Sequence, residues 1–249
     1  MPAAYDKYDY PSYWIGRDYE HGSEVIAIEG FLKNIPKIKK VLDIGAGFGR
    51  LTKTYLFRSK KVILSDPSSR LLKIARDEYQ ANNIKFIHCR VENLNKKIKS
   101  KSIDLIIMIR VLHHIGNPSN TFKVVNNILN KKGYFILEFA NKTHFKANVL
   151  EFFKGNFTFI LDIFPKDICK NKRKKTLPFV NYHPDIIIDL LEKEGFNIVE
   201  KRSVSNIRSP FVKKIFTTDM CLFIEKRIQR VFSFVNFGPS VFILAQKKG

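Results

Sequence analysis

The 249 residues predict an α/β protein built on a doubly wound, mostly parallel sheet of seven strands. Three observations predict it. Five apolar runs of strand length lie between residues 41 and 139, and two more lie near the C-terminus. The runs are nearly continuous rather than alternating, as strands covered on both faces require. Helical patterns separate the five, which implies right-handed crossovers between parallel neighbours.

The elements follow in order. Val41–Ile44 is the first run and leads into the turn GAGFG. Val62–Ser65 is the second and ends at Asp66. Pro67 can then open a helix, since its missing N–H is one the first turn leaves unbonded; Leu71, Leu72, Ala75 and Tyr79 share its apolar face. Ile84–Cys89 and Ile103–Ile109 are the third and fourth runs. Pro118 opens another helix, with Phe122, Val125 and Leu129 on one side and Lys131-Lys132-Gly133 as its stop. Tyr134–Phe139 is the fifth run.

The pattern then breaks. Residues 141–182 are rich in phenylalanine (FFKGNFTFILDIF) and then in charge (KDICKNKRKK). Pro184–Lys193 restores a helix that Gly195 ends, and Phe196–Ser203 and Ser240–Gln246 are the last two runs. Between those two, residues 204–239 hold helical patterns at Phe211–Phe216 and Met220–Phe232. The expected organisation is one domain over 1–249. It has an N-terminal cap at 1–36, a core at 41–139, lid inserts at 141–182 and 204–239, and a final strand at 240–246. Long inserts at strand ends form lids or recognition surfaces.

Composition narrows the function classes. Lys and Arg number 44 against 23 Asp and Glu, a net charge of +21. Such a field attracts phosphates of nucleic acid or anionic lipid, although solvated lysine faces give the same excess. Cys89, Cys169 and Cys221 are odd in number and far apart, against a disulfide framework and against a structural metal site. The N-terminal stretch has no apolar core of signal-peptide type, and the longest apolar span, Val231–Gln246, is broken by Gly238–Pro239. The expectation is a cytoplasmic protein without a transmembrane helix.

The motif is VLDIGAGFGR, Val41–Arg50. A dinucleotide fingerprint starting at Gly45 would need glycine at position 50, where Arg50 stands. What stands instead is D-x-G-x-G-x-G, followed by Asp66 at the end of the second run. On these residues the chain resembles the class I S-adenosylmethionine-dependent methyltransferases, of the type 11 kind. The resemblance covers roughly 41–139 and fits the C-terminal helix and strands too. It implies the Rossmann-like methyltransferase fold, S-adenosylmethionine as cofactor, and no metal.

It also implies a site. Asp43, Gly45, Ala46, Gly47 and Gly49 would lie against the methionine and ribose parts, and Asp66 with Pro67 at the ribose hydroxyls. FIHCRVENL, Phe86–Leu94, would hold adenine. The family often has an Asp acceptor where Arg90 stands, and arginine cannot accept a hydrogen bond. Adenine then falls to Glu92, a backbone carbonyl, or stacking with the Val91 amide. Ile109 and Arg110 would run beside the methionine part. YWIGRDYEHGSE, Tyr13–Glu24, resembles a front helix that brings Tyr13 or Arg17 to the methionine carboxylate; the alternative is a cap that merely covers the sheet. His113 and His114 resemble the family's histidine pair at the mouth. With Glu138 they are the candidates for a general base, which only a protonated nucleophile needs.

The acceptor stays open at this level. A small molecule under an apolar lid is one reading. An amphipathic, lipid-like acceptor at an anionic membrane surface is another, motivated by Phe152, Phe153, Phe157, Phe159 and Phe164 beside Lys166–Lys175. RNA recruited by charge is a third; the Asn/Asp-Pro-Pro-aromatic signature of many such enzymes is replaced by Ile109-Arg110-Val111-Leu112. A non-catalytic S-adenosylmethionine-binding module is the rival from another class. The reading favoured is in-line methyl transfer to a small or amphipathic acceptor, with peripheral membrane association if that acceptor is lipid-like.

Overall fold

The computed structural model describes residues 6, 8–168 and 179–249. The apolar runs become β1 (Lys40–Ile44), β2 (Lys61–Asp66), β3 (Ile84–His88), β4 (Ile103–Met108) and β5 (Leu129–Ala140), all parallel. Two short strands, β6 (Lys166–Asp167) and β7 (Val180–Asn181), pair only with each other. β8 (Phe196–Val204) and β9 (Ser240–Lys247) complete a seven-stranded sheet of order β3-β2-β1-β4-β5-β9-β8, in which only β9 is antiparallel.

The nearly continuous apolar runs have a direct cause: alternate residues of each strand enter opposite cores. Leu42, Met108, Phe135 and Ile243 face one core, against α5 (Pro118–Ile128) and α7 (Pro184–Lys193). Val41, Leu105, Ile136 and Leu244 face the other, against α2 (Asp18–Leu32), α3 (Thr52–Leu56) and α4 (Ser69–Glu78). Phe31, Phe122, Phe135 and Phe242 are all fully buried, and each such burial stabilises by about 1.5–3 kcal/mol.

Three local expectations are corrected. Ser68, not Pro67, caps the start of α4: its Oγ accepts from the Leu71 N–H at 3.2 Å, and Pro67 lies in the bend before it. The Lys131-Lys132-Gly133 stop lies inside β5, which begins at Leu129; Lys132 takes φ +58 beside a register shift between Ile103 and Leu105. The front helix is two helices, α1 (Tyr10–Tyr13) and α2, broken at Gly16 with φ +71. Cys169 and the basic run from 169 onward lie outside the described residues.

Both inserts leave the carboxyl edge of the sheet side by side, since Ala140 and Val204 both pair with Ser240. The first holds α6 (Phe145–Phe153); the second holds α8 (Pro210–Ile215) and α9 (Thr218–Val231). Asn141 fastens them together, its Nδ2 donating to the carbonyls of Asn236 (2.7 Å) and Gly238 (2.8 Å). α9 is also clamped to α2. The buried Glu225 accepts from the Tyr19 hydroxyl (2.7 Å) and from the backbone N–H groups of Ser205 (2.9 Å) and Asn206 (3.2 Å). A buried carboxylate so fully bonded fixes the helix in place.

Candidate active site

A cleft of about 210 Å³, partly open to solvent, lies over the carboxyl ends of β1, β2 and β4. This is where open α/β sheets receive ligands. Gly45, Gly47, Asp66, Pro67, Arg90, Val91, Glu92, Ile109, Arg110 and His114 line it, so most of the expected residues meet in one place. A smaller recess beside it is lined by Asp43, Ala46 and Arg50 and shares Tyr10 and Arg110 with the cleft.

The glycine turn is tied to β2, with the N–H groups of Gly45 (2.7 Å) and Ala46 (3.0 Å) donating to the Ser65 carbonyl. The glycines serve different ends. A Cβ on Gly45 would meet Val111 Cγ2 at 2.2 Å, so glycine there lets the loop after β4 come close. A Cβ on Gly47 would meet nothing nearer than 3.8 Å; its φ of +56 demands glycine, and the space beside it stays free. Gly49 packs under Tyr79 and lines neither cavity.

Two carboxylates stand at this turn. Asp66 accepts from Gly47 N–H (2.9 Å) and Ser68 N–H (2.7 Å), which aims it into the cleft. Burial raises its pKa to about 6, partly offset by those backbone bonds. Asp43 accepts from the buried Tyr55 hydroxyl. Burial first, and then the charge of Asp66, push its pKa up to about 7 against the Tyr55 bond. A cation, or donors in the cleft, would favour the charged form of both.

The other wall is a cationic cluster. Arg110 takes φ +59, the left-handed region that non-glycine residues avoid. Its N–H donates to Glu138 (2.6 Å) and its Nε to Glu24 (2.6 Å). Burial opposes the guanidinium charge, but Glu24 and Glu138 outweigh it and raise the pKa. Glu24, almost wholly buried, also pairs with Arg50, and the Trp14 ring lies under both guanidiniums, 3.4 Å from Arg50 Cζ and 4.7 Å from Arg110 Cζ. The recess thus holds two guanidiniums with Glu24 between them, and Asp43 on the same lining. Backbone strain held by this many partners is typical of functional sites.

The remaining expected residues are distributed unevenly. His114 lines the cleft. His113 lies behind it, 4.1 Å between ring centroids, with Phe179 stacked on it at 4.2 Å. Burial, then the charges of His114 and Arg110, hold His113 well below the usual histidine range, so it is neutral. Glu138 is buried, accepts from Ser240 as well as Arg110, and has its pKa raised by that burial. Tyr13 and Arg17 stack on each other, the guanidinium 4.1 Å above the ring, and neither lines the cleft. Tyr10 is there instead, one helical turn before Trp14. Tyr10, Glu24 and Arg50 were not singled out in the sequence. Glu24 carried the one usable signal, a carboxylate two turns into a helix otherwise bound for the core. Among the described residues, no three His, Cys, Asp or Glu side chains come together as metal ligands would.

These features fit S-adenosylmethionine. Asp66 offers a buried acceptor, Gly47 leaves room for close approach, and the recess offers a carboxylate and a cation for an amino acid's two charged groups. Comparisons with known proteins agree. Residues 42–137 match the methyltransferase-domain family. The tRNA 5-carboxymethoxyuridine methyltransferase of Escherichia coli K12 is 26% identical over 220 residues, covering 85% of this chain and 81% of that protein. The ubiquinone biosynthesis O-methyltransferase of Glaesserella parasuis is 29% identical over 133 residues, covering 51% of this chain and 55% of its own. Among solved structures, an S-adenosylmethionine-dependent methyltransferase from Mesorhizobium loti superposes with a TM-score of 0.61, covering 88% of this chain and 96% of that one at 13% identity. The magnesium protoporphyrin IX methyltransferase of Synechocystis, solved with bound S-adenosylhomocysteine, gives 0.57, covering 92% and 84% at 19% identity. At these identities the structures show the shared fold.

Proposed function

We propose that this chain is a class I S-adenosylmethionine-dependent methyltransferase that passes the methyl group to an amphipathic, lipid-like acceptor. One observation carries the acceptor reading. The two inserts, joined at Asn141, leave the sheet edge on which the cleft opens and keep large apolar side chains in solvent there. No helix among the described residues is long and apolar enough to cross a membrane.

The donor supplies a methyl group on a positively charged sulfur and leaves as a neutral thioether. Asp66 would accept from the ribose hydroxyls, and Val91 and Glu92 would hold adenine, with Arg90 at the exposed rim. Asp43 would face the ammonium and Arg110 the methionine carboxylate, with Gly45, Gly47 and Ile109 shaping the wall between. Holding nucleophile, carbon and sulfur in line contributes about 7–11 kcal/mol to such a reaction. His114, at the cleft, takes a proton if the acceptor is a hydroxyl. His113 and Glu138 are positioning residues: His113 braces His114, and Glu138 holds the strained backbone of Arg110.

A second reading is favoured by one specific observation. The match to the tRNA methyltransferase spans 85% of this chain, whereas the ubiquinone-pathway match spans about half. Segments outside the core choose acceptors, so RNA is the competing class. Incubating the enzyme with methyl-labelled S-adenosylmethionine and an extract of the cells that encode it separates the two. Label in the organic phase supports the lipid-like acceptor. Label that stays aqueous and becomes acid-soluble after ribonuclease establishes RNA and overturns it.

A further inference from the structure

Large apolar side chains seldom cluster in solvent on a monomer. Phe153, Phe157, Leu161 and Phe164 of the first insert, and Phe234 and Val235 of the second, are each two-thirds or more exposed. The backbone beneath them is firmly held. Lys142, almost wholly buried at the end of β5, donates through Nζ to the carbonyls of Asp162 (2.6 Å) and Phe164 (2.7 Å) and pairs with the Asp162 carboxylate at 2.6 Å. Phe159 alone of this segment's phenylalanines is buried, and the Lys142 and Lys166 ammonium groups lie 5.4 and 5.1 Å from its ring centre. Phe145 stacks on Phe237 at 4.8 Å and Phe237 on Phe232 at 4.6 Å, which links the two inserts ring to ring. A buried lysine pins the loop while the neighbouring rings point outward. That arrangement differs from a loop that has collapsed onto itself.

Charge selects the occupant. The described residues of the two inserts, 141–168, 179–182 and 204–239, together hold ten Lys and Arg against five Asp and Glu. Two copies with that charge repel each other. An anionic bilayer attracts it, by about 1 kcal/mol for each Lys or Arg near the surface, and its acyl boundary accepts phenyl and aliphatic side chains. We infer that the joined face of the two inserts docks the enzyme on an anionic phospholipid bilayer, rings in the acyl boundary and basic side chains among the headgroups. The inference rests on the lipid-like reading of the acceptor and adds the surface at which that acceptor is met.

The test uses the full chain and vesicles of phosphatidylcholine, with and without phosphatidylglycerol. The enzyme should sediment with the anionic vesicles, at least about tenfold more tightly than with neutral ones, and be released as salt screens the attraction. Phe153→Asp/Phe157→Asp and, separately, Phe234→Asp/Val235→Asp should each weaken binding about tenfold or more, because charged side chains do not enter the acyl boundary. Unchanged heat of S-adenosylmethionine binding would show that both variants are folded. Three results overturn the docking: no sedimentation at low salt, vesicle binding by both variants equal to that of the parent, or a concentration-dependent dimer that the same substitutions dissolve. The acceptor reading fails separately. An enzyme that methylates detergent-dispersed lipid but ignores vesicles keeps its acceptor and loses the docking face. One that binds vesicles yet labels only RNA does the reverse.

Discussion

The core strands and the insert surface are both rich in phenylalanine, but the two regions use it in opposite ways. Phe122, Phe135 and Phe242 have no exposed surface; Phe153, Phe164 and Phe234 are 82%, 75% and 86% exposed. The first set is covered by helices on both sheet faces, and its sequence pattern says so. The second sits at the end of α6 and on loops whose backbone is pinned by Lys142 and Asn141, and none of the described residues covers it. The difference suggests a division of labour. The core is finished within the chain and presents the donor site, while the inserts present the face inferred to dock on a bilayer.

The sharpest way to break that comparison is a pair of truncations. Phe135→Ala opens a cavity in a packed core and should cost about 3–5 kcal/mol of stability. Phe153→Ala should stay within about 0.5 kcal/mol, as exposed positions do. Denaturant unfolding of the two variants measures both, and equal losses would mean that the insert face is already covered within the protein.

Next in size is the donor site. Asp66→Ala should weaken S-adenosylmethionine binding roughly 100-fold, since it removes a charged acceptor whose hydrogen bonds are worth about 1.5–3 kcal/mol. Calorimetric titration reads this directly. An unchanged affinity would place the ribose elsewhere.

A smaller effect comes from pH. Asp43 and Asp66 have pKa values raised to about 7 and about 6 by burial. Their folded values lie above their unfolded ones, so the stability they contribute is present at low pH and lost as pH rises through about 4 to 7. Donor binding favours the ionised carboxylates, so affinity should run the other way, about tenfold or more weaker at pH 5 than at pH 7.5. Titrations at both values test it; a flat profile would mean that neither carboxylate faces the ligand. Smallest of all is Arg90→Asp, which restores an acceptor at the exposed rim. It should leave affinity unchanged or slightly tighter, and a strong loss would make Arg90 itself a contact.

The sequence was most informative where burial acts on every residue. The seven runs could be read because strands covered on both faces must be apolar throughout, and the D-x-G-x-G-x-G turn because Gly47 at φ +56 has few substitutes. Capping was harder. Pro67 and Ser68 are adjacent, either can start a helix, and a single hydrogen bond to Leu71 decides. The cationic wall was hidden because it is tertiary. Glu24, Arg50 and Arg110 come from α2, the glycine turn and the loop after β4, and no local spacing links them. Tyr13 and Arg17 were expected at the cleft on near-helical spacing, but the break at Gly16 turns them onto each other and leaves Tyr10 facing in.

The division between core and inserts is tested most directly by one pair of readings on Phe157→Asp/Phe164→Asp. S-adenosylmethionine affinity is measured by calorimetry, and label transfer from the methyl group into a lipid extract by partition. The account predicts an affinity within about twofold of the parent, as expected for exposed sites remote from the cleft lining, together with a large loss of transfer. Full transfer to lipid, or an affinity that falls along with transfer, would contradict it.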